Sequence, residues 1–179
     1  MRNMELSFVQ YMWEMNMGVS FIVGKEAANR MLPGGGTLIF TGATGAMRGR
    51  PPFIAFAQGK SGVRECSAPL LPPRPTALRG HVEALLLNPA TPRRSAGMLA
   101  QSMAREFAPE GLHVAHVIID GGVGGDRLRD AMGRDVASAV SDNTMLDPFA
   151  CAESFWQLHL QQPSAWTQEM ELRPAKETW

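Results

Sequence analysis

The segment FAQGKSGVR (residues 56–64) sets a phenyl ring, Phe56, and an ammonium group, Lys60, four residues apart. On a helix that spacing puts both on one face, one turn apart. Lys60 is the group there that can hold charge or a proton, because a phenyl ring has no proton to give. Two glycine clusters are the other places where ligand chemistry could reside. PGGGT (residues 33–37) precedes a strand-like run and reads as a helix stop. GGVGGD (residues 121–126) follows a strand, as a phosphate cradle should, but Arg127 stands where the third glycine of a G-x-G-x-x-G loop would be. His113, His116 and His159 are spread over two elements without ligand spacing, so they read as structural or surface residues and no metal site is expected. Cys66 and Cys151 fit neither a C-x-x-C pattern nor a disulfide framework and read as inert thiols, which suits a reducing compartment.

The elements that must position these groups belong to a chain of 179 residues, enough for one domain with a substantial core. Its formal net charge is zero, with 17 basic and 17 acidic side chains, so no electrostatic argument supports a nucleic-acid or anionic-membrane partner. No window approaches the roughly 18 consecutive apolar residues of a membrane span. The opening stretch interleaves Arg2, Glu5 and Glu14 with its apolar residues, unlike a secretory signal. The expectation is a soluble, cytoplasmic protein whose methionines fill apolar faces.

Over residues 8–32, Phe8, Met12, Met15, Val19, Ile22 and Val23 recur at three- and four-residue steps, predicting an amphipathic helix that stops at Pro33. TLIF (residues 37–40) predicts a short buried strand, followed by a loop of small residues and a second helix near Phe53. Residues 65–97 hold six of the chain's 13 prolines and, apart from TALRGHVEALLL, no sustained period. They predict a proline-rich insertion, a mobile or disordered loop. Deleting them in thought joins PPFIAFAQGKSGVR to MLAQSMAREFAPEG in one helix with Ala57, Val63, Met98, Leu99 and Met103 near one face. Such a join suits a retained intron or a similar gene-model insertion, with an evolved loop as the alternative. HVAHVIID (residues 113–120) reads as a parallel-sheet strand, Asp147 and Pro148 as a helix start, and WTQEMELR (residues 166–173) as a final strand. This order describes an α/β sheet with crossover helices.

WEMNMGVSFIVGKEAANRM, GTLIFTGATGAMRG, FAQGKSG with LAQSMAREFAPEGLHV, and LDPFACAESFWQLHLQQPSAWTQEMELRP together resemble the short-chain dehydrogenase/reductase family. The resemblance covers nearly all of the chain outside residues 65–97 and corresponds to the family's C-terminal half. It implies a partial Rossmann-type α/β fold with about three parallel strands and flanking helices. The family's opening strand and TGxxxGxG loop, which cradle the pyrophosphate of NAD or NADP, would precede residue 1.

Of the family's Asn, Ser, Tyr and Lys tetrad, the resemblance places Asn16 at the Asn position, where the family holds a water of the proton relay. Ala43 falls at the Ser position, Phe56 at the Tyr position and Lys60 at the Lys position, where the family binds the nicotinamide ribose. Thr44 neighbours the serine position, shifted by one residue. The family's Pro-Gly after the sixth strand appears as Asp120-Gly121, Val123 matches the residue whose backbone meets the carboxamide, and Gly125 replaces a usual threonine. The resemblance thus implies an NAD(P)-dependent oxidoreductase acting on a carbonyl or alcohol, impaired or inactive for want of two catalytic hydroxyls. The alternatives are a non-catalytic relative that acts by dimer or heteromer association through the helices carrying Asn16 and Lys60, and a truncated product without a role of its own.

Overall fold

The computed structural model describes residues 4–48, 51, 53–65, 99–126, 129–130 and 135–176. Helix α1 (Leu6–Trp13) passes through a π-helical turn (Glu14–Gly18) into helix α2 (Val19–Met31). Strand β1 (Gly36–Ala43) runs into a single 3-10 turn, Thr44–Ala46. Helices α3 (Ile54–Glu65) and α4 (Leu99–Phe107) follow, and a 3-10 turn, Ala108–Glu110, leads to strand β2 (Leu112–Ile119). Gly111 supplies the left-handed corner between them, at φ 88°. Helices α5 (Val136–Ser141) and α6 (Pro148–His159) then precede strand β3 (Glu169–Leu172). Asp147 caps α6 by accepting the N–H of Phe149 at 2.9 Å, with proline at the first turn as its sequence predicts.

The three strands are parallel in the order β1-β2-β3, with Gly36 opposite Leu112 and His116 opposite Glu169. β2 is central and buried over nearly its whole length, which explains its unbroken apolar run. On one face Phe40, Leu112 and Val114 pack with Met17 and Ala28 beneath the first helix pair and with Leu99, Ala100 and Met103 of α4. On the other, Ala115 and Val117 pack with Leu158 of α6, joined by Ile39, Ile119, Phe155, Met170 and Leu172. Both crossovers advance in the same direction across the sheet while their helices cover opposite faces. The two therefore have opposite hands, and one is of the rare left-handed kind.

The helix predicted over residues 8–32 forms, and three of its periodic apolar residues, Phe8, Ile22 and Val23, are 49%, 66% and 58% exposed. The face on the sheet is instead built from Met17, Gly24 and Ala28. The cause is close approach: a Cβ on Gly24 would lie 2.7 Å from the Phe40 ring, so the glycine lets the helix lie flat against β1. β1 is longer than TLIF, the final strand is shorter than WTQEMELR, and α5, capped by Asp135, has no counterpart in the sequence reading. The proposed join between α3 and α4, and nearly all of the proline-rich segment at 65–97, lie outside the described residues.

Candidate functional site

Helix α3 brings the sequence-selected positions together at the carboxyl end of β1, the end at which open α/β sheets bind ligands. Gly59 faces the π-helical turn so closely that a Cβ there would lie 2.6 Å from the Met12 carbonyl oxygen and 2.9 Å from the Asn16 Cβ. Asn16 occupies that turn and donates from Nδ2 to the Met12 carbonyl at 2.7 Å, while its own carbonyl accepts from the Ser20 hydroxyl. A widened turn leaves carbonyls without their usual partners, and here a side-chain amide satisfies one of them. One turn from Gly59, the Phe56 ring lies against Gly45, 3.3 Å from where a Cβ would stand, just beyond Ala43. Lys60 donates from Nζ to the Thr41 carbonyl at 3.2 Å and sits 5.9 Å from the centre of the Phe56 ring, within reach of a cation–π attraction. Burial pushes the Lys60 ammonium below its ordinary pKa.

Ala43 ends β1 half-buried and presents only a methyl group. The adjacent hydroxyl does not replace a serine, because Thr44 Oγ1 donates to the carboxylate of Asp120. Asp120 is 4% exposed and also accepts from Arg48 at 3.1 Å and from Arg173. Arg173 in turn pairs with Glu171 at 3.1 Å. This buried carboxylate ties the ends of all three strands together. It is the part of the site that sequence reasoning treated only as a replaced proline. The available signal was an aspartate closing an apolar strand, since a buried charge requires partners.

Beyond Asp120, Gly121 takes φ 142°, a value that favours glycine. The loop then pairs with Leu146, whose N–H donates to Gly122 and whose carbonyl accepts from Gly124, both at 2.8 Å. In this parallel bridge the N–H and C=O of Val123 point away from Leu146. Gly124 is pressed on Val140, 2.5 Å from where a Cβ would stand, whereas Gly125 meets nothing within 4 Å. Arg127 lies outside the described residues. The site thus offers a half-buried ammonium at Lys60, a glycine turn at Gly121 and an outward backbone edge at Val123.

The three described histidines lie elsewhere. His113 bonds the Thr167 carbonyl at 2.9 Å and stacks on Trp166, His116 pairs with Glu169 at 2.9 Å, and His159 meets Thr37 at 3.0 Å. Among the described residues no three His, Cys, Asp or Glu side chains are grouped to hold a metal ion. Cys151 is half-buried, and burial followed by the nearby Asp147 charge pushes its thiol pKa up. Cys66 is outside the described residues, and no helix among those described is long and apolar enough to cross a membrane.

No protein-family model matches this chain, and no curated protein does. Solved structures do. A short-chain dehydrogenase from Rhodopseudomonas palustris is 32% identical over 97% of this chain and 55% of its own, at a TM-score of 0.58. A short-chain type dehydrogenase/reductase from Mycobacterium marinum aligns at 17% identity over 97% of this chain and 57% of its own, at 0.61. A 4-hydroxyisoleucine dehydrogenase complexed with NADH and succinate gives 14% identity over 97% and 60%, also at 0.61. The chain thus spans little more than half the length of these proteins. Within that span it has the partial Rossmann-type α/β fold of the short-chain dehydrogenases/reductases and is similar in sequence to the Rhodopseudomonas palustris protein.

Proposed function

We propose that the chain is the nicotinamide-binding, C-terminal part of an NAD(P)-dependent oxidoreductase for a carbonyl or alcohol, with impaired proton transfer. The observation that carries this reading is the run of contacts along α3, with Gly59 against Asn16, Phe56 against Gly45 and Lys60 on the Thr41 carbonyl near the β1 end at Ala43. The bound nucleotide would supply or accept the hydride. Lys60 would hold the ribose, and Gly121 and Val123 would present backbone to the carboxamide. Ala43 and Phe56 supply neither the hydroxyl that orients a substrate oxygen nor the proton it needs. Loss of a positioned general acid costs about 10² to 10⁴ in rate. Titration with NADH and NADPH, followed by ligand fluorescence and thermal stability together, tests the proposal. Saturable binding with a raised Tm is expected, and Ala43→Ser with Phe56→Tyr should then raise turnover. A folded sample that binds neither nucleotide refutes it.

The exposed apolar row on α1 and α2 favours a second reading, association of this chain with a copy or a full-length relative through the helices carrying Asn16 and Lys60. Leu6 is 70% exposed and Ile22 66%, while the opposite side of α2 already buries Ala28 against the sheet. A helix apolar on both sides is normally covered on both. Sedimentation equilibrium decides this reading: a monomer at all concentrations, alone or with the relative, excludes it.

A further inference from the structure

The chain has three lysines, Lys25, Lys60 and Lys176. Lys25 on α2 and Lys176 after β3 are exposed, whereas Lys60 is drawn partly into the fold on α3. Its Nζ donates to the neutral Thr41 carbonyl at 3.2 Å, and among the described residues no carboxylate pairs with it. An ammonium without a counter-ion has little to hold its extra proton once water is partly removed.

The Phe56 ring attracts a cation, but Nζ stands 5.9 Å from its centre, at the outer limit of that attraction. Loss of hydration outweighs it, and burial lowers the pKa. After deprotonation one N–H can keep the bond to Thr41, which turns the nitrogen lone pair away from that oxygen. A desolvated amine beside an apolar wall is the state in which lysine attacks a carbonyl carbon.

We propose that Lys60 is a covalent site for an aldehyde that carries an aromatic ring. The Nζ lone pair adds to the aldehyde carbon, a proton passes from nitrogen to the aldehyde oxygen, and water leaves to give an imine. Nothing is oxidised or reduced in these steps. The aldehyde's ring begins two bonds from Nζ, so it can stand beside Phe56 within the separation of about 4.5–7 Å at which aromatic pairs attract. This goes beyond the nicotinamide reading and does not rest on it, because the adduct forms on the chain without nucleotide.

The test incubates the full chain, free of nucleotide, with benzaldehyde at neutral pH and traps the imine with cyanoborohydride. The reagent delivers hydride to the imine carbon while solvent supplies a proton to nitrogen, and peptide mapping by mass spectrometry gives the labelling rate at each lysine. Lys60 is expected to react at least about tenfold faster than Lys25 and Lys176. In urea that advantage should disappear. Glyoxylate, a charged aldehyde with no ring, should show an advantage at Lys60 at least about threefold smaller. Labelling of Lys60 no faster than the two exposed lysines in the folded chain overturns the proposal. So does a preference that survives in urea, since it would then belong to the local sequence and not to the fold. An equal advantage with glyoxylate overturns the choice of an aromatic aldehyde.

Discussion

Replacing Gly59 by alanine tests whether α3 really touches the π-helical turn. At an open helical position Gly→Ala stabilises by about 1 kcal/mol. At Gly59 the new Cβ would fall 2.6 Å from the Met12 carbonyl oxygen and 2.9 and 3.0 Å from Asn16 atoms. A backbone carbonyl cannot swing aside, so α3 must retreat by several tenths of an ångström or the turn must deform. Overpacking of this kind costs about 1–3 kcal/mol, and disturbing the Asn16 bond to Met12 adds about 1 kcal/mol. These outweigh the gain in helix propensity, leaving a net loss of about 1–3 kcal/mol, or a fall in Tm of about 2–12 °C for a chain of this size. Gly18 is the internal control: it lies in the same turn, has helical φ −59° and ψ −49°, and its Cβ would meet nothing within 4 Å. Gly18→Ala should therefore stabilise by about 0.5–1 kcal/mol. Urea unfolding followed by circular dichroism measures both. A Gly59→Ala protein as stable as the parent, or more so, would refute the close packing of α3 on the turn and with it the placement of Asn16 beside Gly59.

Asp120→Asn should destabilise by about 3–5 kcal/mol, the usual consequence of removing one partner of a buried ion pair; an unchanged urea midpoint would mean that the carboxylate does not join the strand ends. Lys60 predicts a pH effect of definite sign. Its folded pKa is lowered by burial, so between that value and the unfolded one the unfolded chain binds more protons and stability rises with pH. In Lys60→Met this contribution vanishes. Unfolding midpoints of the two proteins over an alkaline series should differ in slope, and parallel curves would contradict the burial of Lys60.

The central strand and α6 were legible because one physical signal dominates each: an unbroken apolar run in HVAHVIID, and an aspartate-proline start that the structure uses as a cap. The first helix was legible as a helix but not in its orientation. Periodicity marks an apolar face, but it cannot say whether the sheet or another surface covers it, and Gly24 decided the matter through a contact with Phe40 distant in sequence. Spacing put Phe56 and Lys60 on one face, whereas their neighbours Gly45 and Thr41 emerged only from the fold. The Asp120 cluster was the least legible part. Arg48 and Arg173 lie 72 and 53 residues from it, and no local pattern announces such pairings.

The π-helical turn at Glu14–Gly18 has a consequence for length. It holds a residue more than an α-helix would need for the same advance, and each residue turns a helix by about 100°. The extra residue is taken up within the turn, so deleting one residue there should restore regular winding and leave α1 facing α3. The same deletion in α2 between Val19 and Gly24 has no wide turn to absorb it, and it would rotate everything before it, α1 and the Met12 carbonyl included, by about that angle relative to the sheet. The tolerance of the segment to a change in length is therefore concentrated at the π-helical turn.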